Sequence, residues 1–166
     1  MKNLWYILVM LLLASCIKEG RSGKDLQVGD TLPDFEVTMN DGTLVTDDIL
    51  SEDVSVVMFF HTSCPDCQQA LPRIQQMYDE YGSRGVSFAL ISRAEESDEI
   101  EAYFALKGLK MPFSAQKDRS VYEKFAQTRI PRIYINGKGG IIRYIFTDDP
   151  VPSYDELKNS LNAVIR

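Results

Sequence analysis

Hydrophobic and polar residues alternate with two different periods along this chain, and the switches between them outline its elements. From Asp34 to Thr38 apolar and polar positions alternate. Asn40-Asp41-Gly42 is then a turn signal before Thr43-Leu44-Val45, which predicts an N-terminal β-hairpin. Val54–Phe60 is an almost unbroken apolar run, the pattern of a strand covered on both faces. The period then becomes helical: Cys67, Leu71, Ile74, Tyr78 and Tyr81 form one stripe of a helix predicted over Pro65–Tyr81. Val86–Ile91 is a second buried strand. Asp98–Lys107 is a helix with Ile100, Tyr103, Phe104 and Leu106 as its apolar residues, and another helix is predicted over Arg119–Gln127. Arg132–Asn136 and Ile141–Phe146 pair around Gly137-Lys138-Gly139-Gly140, a hairpin turn and not a phosphate cradle, because a strand follows it. Ser153–Val164 closes the chain as a helix with Ser153 as N-cap and Leu157, Leu161 and Val164 as its stripe.

Strands alternating with helices, followed by an antiparallel pair, predict an α/β fold with a central mixed β-sheet flanked by helices and an N-terminal β-hairpin extension. Crossovers between parallel strands should be right-handed. A length of 166 residues fits one such domain. With 25% charged and 45% hydrophobic residues, the chain is neither a disordered tail nor a polytopic membrane protein. The net charge of -6 and the lack of a basic patch argue against a nucleic-acid partner.

The first residues read as an address. After the charge of Lys2, the apolar run Leu4–Leu13 would rise about 15 Å as a helix, roughly half a bilayer core, so a signal h-region fits better than a spanning helix. The run ends in Leu13-Ala14-Ser15-Cys16, which resembles a bacterial lipobox; an ordinary signal peptide ending near a cysteine is the alternative. The resemblance implies a signal peptide over 1–15 and lipidation of Cys16; the Gly, Ser and mixed charge that follow read as a flexible tether over 16–27, ahead of one domain over 28–166. More than one acyl chain gives stable anchoring. The domain would then work outside the cytosol, on a bacterial envelope membrane.

Cys64-Pro65-Asp66-Cys67 lies between a predicted strand and a predicted helix. Pro65 suits the first helical position. Cys64 would then face the unpaired N–H groups and positive dipole end of the helix, features that stabilise a thiolate. Cys67, one turn on, is placed to resolve a mixed disulfide formed by Cys64. Such a cycle needs no cofactor. A zinc site would need about four ligands, whereas only His61 and these two thiols are at hand. A purely structural disulfide closing so short a loop would constrain little of the unfolded chain.

Phe59-Phe60-His61-Thr62-Ser63-Cys64-Pro65-Asp66-Cys67, followed by Pro72, resembles the thioredoxin superfamily and within it the extracytoplasmic TlpA/ResA-like thiol-disulfide oxidoreductases. Val28–Phe35 looks like their N-terminal extension, shared with peroxiredoxins, and Ile130-Pro131-Arg132-Ile133-Tyr134-Ile135 is similar to their cis-proline segment. The resemblance implies a thioredoxin-like fold and a cis Pro131 facing the two cysteines. It also implies an Ile130 backbone that pairs with an extended substrate, and a Pro72 kink in the catalytic helix. Its implied partners are disulfide-containing proteins and, for a reducing cycle, an electron donor in the same membrane. This chain departs from the family at four places. Met58 stands where many thioredoxins carry a buried acid, Ala70 where many TlpA-like proteins place a Glu, Ser63 replaces a Trp, and Arg132 replaces the Thr after the cis-proline. The proton acceptor for Cys67 stays open between Glu36, Asp66 and solvent.

The negative charge of Asp66 should oppose ionisation of Cys64 unless Arg129 or Arg132 offsets it, which points to a moderate reductant and away from the DsbA-type oxidants. His61 reads as a packed residue at the start of the helix. The acidic run Glu95, Glu96, Asp98, Glu99 and Glu101 reads as a solvated helix start. Two other functions stay open: a thiol peroxidase, although His61 and Val57 stand where peroxiredoxins carry Thr and Pro, and a non-catalytic binding module.

Overall fold

The structure is a computed structural model that describes residues 23–166. The signal segment, the lipobox and Cys16 lie outside the described residues. Strands β1 (Glu36–Thr38) and β2 (Leu44–Thr46) form a separate antiparallel hairpin, which leads into the short helix α1 (Asp47–Ser51). The main sheet holds β3 (Ser55–Phe60), β4 (Ser87–Ser92), β5 (Arg132–Gly137) and β6 (Ile141–Phe146) in the order β4-β3-β5-β6. Strands β3 and β4 run parallel, joined through helix α2 (Pro65–Tyr81); β5 is antiparallel to β3, and β6 to β5. Helices α3 (Ser97–Lys107) and α4 (Tyr154–Ile165) complete the domain. This is the expected mixed sheet with its N-terminal hairpin.

Burial follows strand position. Every residue of the two central strands, β3 and β5, is buried, whereas the edge strand β6 is partly exposed. Successive side chains of a strand point to opposite faces, and β3 feeds two aromatic clusters. Phe59 meets Tyr122 edge-on and packs against Phe125, while Phe60 turns the other way onto Phe104. Such pairs contribute about 0.5–1.5 kcal/mol beyond the area they bury. The sheet is thereby fixed from both sides where β3 delivers the chain to α2.

One predicted helix does not form. Over Arg119–Gln127 the structure has only a 3-10 turn, Tyr122–Lys124. Tyr122, Phe125 and Ala126 are buried at helical spacing, but the backbone groups that would extend the helix are taken elsewhere. The Phe125 carbonyl accepts from Leu26 N–H and from the Tyr134 hydroxyl, and Gln127 N–H donates to Asp25. A segment this short is marginal as a helix by itself, so tertiary hydrogen bonds decide. The same bonds bring Asp25 and Leu26 into the folded domain, which therefore begins before Val28.

The turn between β5 and β6 shows why its sequence is glycine-rich. Gly140 has φ +67°, and a Cβ there would lie 2.3 Å from Ser51 Oγ. Its carbonyl accepts from Leu32 N–H, closing the N-terminal segment onto the hairpin.

Candidate active site

Cys64 occupies the N-cap of α2, in extended conformation, and Pro65 opens the helix. The missing N–H of a proline costs nothing at that position. Cys64 is half-buried, while Cys67 on the first turn is buried in the core. Both thiols are free. Burial pushes the Cys67 thiol far up, the neighbouring Cys64 sulfur adds to that, and the backbone N–H of His61 opposes it. Reaction geometry and access are thus divided: one sulfur reaches the surface, and the other waits behind it as a neutral thiol.

The Cys64 thiol also donates to the Ile130 carbonyl at 3.5 Å. The Ile130–Pro131 peptide bond is cis. Ahead of it, Arg129 adopts φ 72°, and its carbonyl accepts from Tyr122 Oη at 2.7 Å. The structure therefore brings Cys64, Cys67, Ile130 and Pro131 to one corner, where β3 hands over to α2 and the loop before β5 returns. Pro72 lies inside α2, and the helix continues through it from Pro65 to Tyr81. A second cis bond, Asp149–Pro150, has no counterpart in the sequence expectations.

Glu95 is the site residue that sequence reading misplaced. It belongs to a run expected in solvent, yet its side chain is only 2% exposed. One carboxylate oxygen accepts Thr62 N–H at 2.9 Å, and the other accepts the Thr62 hydroxyl. Ser63 N–H donates to His61 Nδ1 at 3.2 Å, and Glu95 Oε2 stands 3.6 Å from that nitrogen. Gln68 Nε2 closes the arrangement by donating to the Thr62 carbonyl at 2.8 Å. Glu95 thus grips Thr62 and stands beside His61, within the turn that leads into Cys64. Position alone could have hinted at this, because Glu95 lies three residues after a buried strand and ahead of α3, whereas Asp98, Glu99 and Glu101 lie within that helix.

Both arginines flank the cis-proline bond and pair with other acids. Arg132 is buried and pairs with Asp25 at 2.9 Å, and Arg129 pairs with Asp148 and Asp149 at 3.3 and 3.5 Å. Neither is paired with Asp66, which accepts from Gln69 Nε2 at 3.4 Å on the first turn of α2. Glu36 is exposed on β1. Among the described residues, no group of three or more His, Cys, Asp or Glu is placed to hold a metal ion.

Comparison with known proteins agrees with this geometry. A family model described as the AhpC/TSA family matches residues 28–145. The thiol-disulfide oxidoreductase ResA of Bacillus anthracis is 23% identical over 115 residues, covering 69% of this chain and 66% of the relative, just under two thirds of its length. The ResA of Oceanobacillus iheyensis is 24% identical over 161 residues, covering 94% of this chain and 81% of the relative. A thiol:disulfide interchange protein of the thioredoxin family from Chlorobium tepidum superposes with a TM-score of 0.71 at 20% identity, over 86% of this chain and 99% of that one. The thioredoxin domain of a thiol-disulfide oxidoreductase from Bacteroides vulgatus gives 0.69 at 18% identity, over 83% of this chain and all of that domain, 100%. The fold is therefore thioredoxin-like.

Proposed function

The chain belongs to the AhpC/TSA family, and from that premise we propose that it is a thiol-disulfide oxidoreductase that reduces disulfides of partner proteins through Cys64 and Cys67. One observation carries the reading: two free thiols one helical turn apart, the outer one hydrogen-bonded to the carbonyl that precedes a cis-proline. Resemblance to the ResA oxidoreductases supports the same reading.

The cycle follows from the positions of the sulfurs. Cys64, at the positive end of α2, attacks a sulfur of the partner disulfide; the S–S bond breaks and the departing partner thiolate takes a proton. The partner is then joined to Cys64, with its extended segment beside the Ile130 backbone and Pro131. Cys67 loses its proton and attacks Cys64 Sγ, forming the Cys64–Cys67 disulfide and releasing the second partner thiol. Two protein thiols are oxidised and one partner disulfide is reduced. A donor in the same membrane returns the pair to the dithiol. Lipidation at Cys16 would hold the domain to an envelope membrane outside the cytosol; no helix among the described residues is long and apolar enough to cross one.

The test is to trap the intermediate. Cys67→Ala should accumulate a mixed disulfide on Cys64, visible as a higher band on non-reducing gels and absent from the Cys64→Ser, Cys67→Ala double variant. The parent should reduce insulin, and its potential should lie well below about -120 mV, the strongly oxidising end of the range. A thiol peroxidase is the second reading, favoured by the N-terminal segment shared with peroxiredoxins. A parent that consumes hydrogen peroxide rapidly and leaves insulin untouched would establish it in place of the first.

A further inference from the structure

Asp25 does something that the exchange chemistry by itself does not require. Its two carboxylate oxygens grip opposite ends of the loop that carries the cis-proline. Oδ1 accepts the backbone N–H of Gln127 at 2.8 Å, and Oδ2 pairs with the Arg132 guanidinium at 2.9 Å. Between these two points lie Thr128, Arg129, Ile130 and Pro131, the stretch with the left-handed Arg129, the cis bond and the carbonyl that meets Cys64.

Arg132 spreads the grip further. Its side chain, 7% exposed, donates from Nε to Tyr134 Oη at 3.1 Å and from Nη1 to the Thr128 carbonyl at 3.3 Å. Tyr134 Oη donates in turn to the Phe125 carbonyl, which also receives Leu26 N–H. A buried guanidinium without a carboxylate is costly, so the pair holds together or the loop rearranges. Only a planar fork of several N–H groups can serve Asp25, Thr128 and Tyr134 at once, and neither Lys nor Thr offers one.

We propose that Asp25 and Arg132 are positioning residues that clamp loop 127–132 in the shape needed to dock the polypeptide around a partner disulfide. This inference rests on the disulfide-exchange reading above. A small disulfide needs only the half-buried sulfur of Cys64. A protein disulfide must also lay its backbone against Ile130 and Pro131, and that requires the loop to be formed beforehand, since ordering it at the moment of binding weakens association. Asp25 also lies at the N-terminal edge of the domain.

The experiment uses the full chain and two substrates, insulin and the small aromatic disulfide DTNB. Asp25→Asn keeps the shape and the acceptor for Gln127 but removes the charge facing Arg132. The clamp predicts that the ratio of kcat/KM for insulin to that for DTNB falls about tenfold, through a higher KM for insulin. Arg132→Lys should lower the ratio in the same direction. Amide hydrogen exchange at Gln127, whose N–H Asp25 holds, should accelerate about tenfold in both variants, which keeps the idea testable if a variant is too unstable for kinetics. A ratio within twofold of the parent's, or unchanged exchange at Gln127, overturns the clamp. A parent inactive on both disulfides overturns the exchange reading instead, and hydrogen exchange still reports whether the two residues hold the loop.

Discussion

Cys67 and Glu95 show how burial gives ordinary side chains their parts at this site. Cys67 keeps its proton because a thiolate in the core would lose its hydration. In the unfolded chain the same thiol ionises near its ordinary value of 9.0. The folded state therefore retains a proton that the unfolded state releases. The stabilising effect of this group is complete below that pH and declines above it, by about 1.4 kcal/mol per pH unit. Urea unfolding between pH 8 and 10 should show the parent losing stability over the upper unit, and Cys67→Ala losing measurably less. Tyr134, pushed up to about 12 by burial, adds the same trend only above the ordinary tyrosine value of 10.0. The cysteine pair was legible from its spacing and from Pro65. Glu95 was not, because a carboxylate among four other acids looks solvated until the fold brings Thr62 against it. Arg132 is a similar case: its partner, Asp25, stands more than a hundred positions earlier in the chain.

Elements whose signals are local came out as their sequences predict. Helix α4 begins with a complete capping box: Ser153 Oγ accepts from Glu156 N–H while the Glu156 carboxylate accepts from Ser153 N–H. Ser153→Ala should cost about 1 kcal/mol and lower Tm by about 3 °C in thermal unfolding, with the exchange activity retained, because the cap lies outside the cysteine corner. Helix α2 runs over the expected Pro65–Tyr81, since its apolar stripe, opening proline and length all agree. The segment Arg119–Gln127 carries a helical burial pattern too, yet its backbone is claimed by Leu26, Tyr134 and Asp25. Periodicity reports which side chains go inside; it does not report which backbone groups a distant segment will capture.

For the whole molecule, the reading joins a redox corner to a membrane address. Cys16→Ser should move the protein from the membrane pellet to the soluble fraction of the envelope, while the purified domain still reduces insulin. Retention of Cys16→Ser in the pellet would refute lipid anchoring and leave the chemistry of Cys64 intact. The order of the strands, the helices Pro65–Tyr81, Asp98–Lys107 and Ser153–Val164 and the Cys-Pro-Asp-Cys pair were legible in the sequence, because each depends on residues close together along the chain; the cis-proline was expected only from the family resemblance. Only the tertiary structure determined that Cys67 is sealed while Cys64 is reachable, that Glu95 grips Thr62, and that Asp25 closes on Arg132. Those outcomes depend on desolvation and on contacts between segments far apart in the chain, and such quantities exist only after the core has formed.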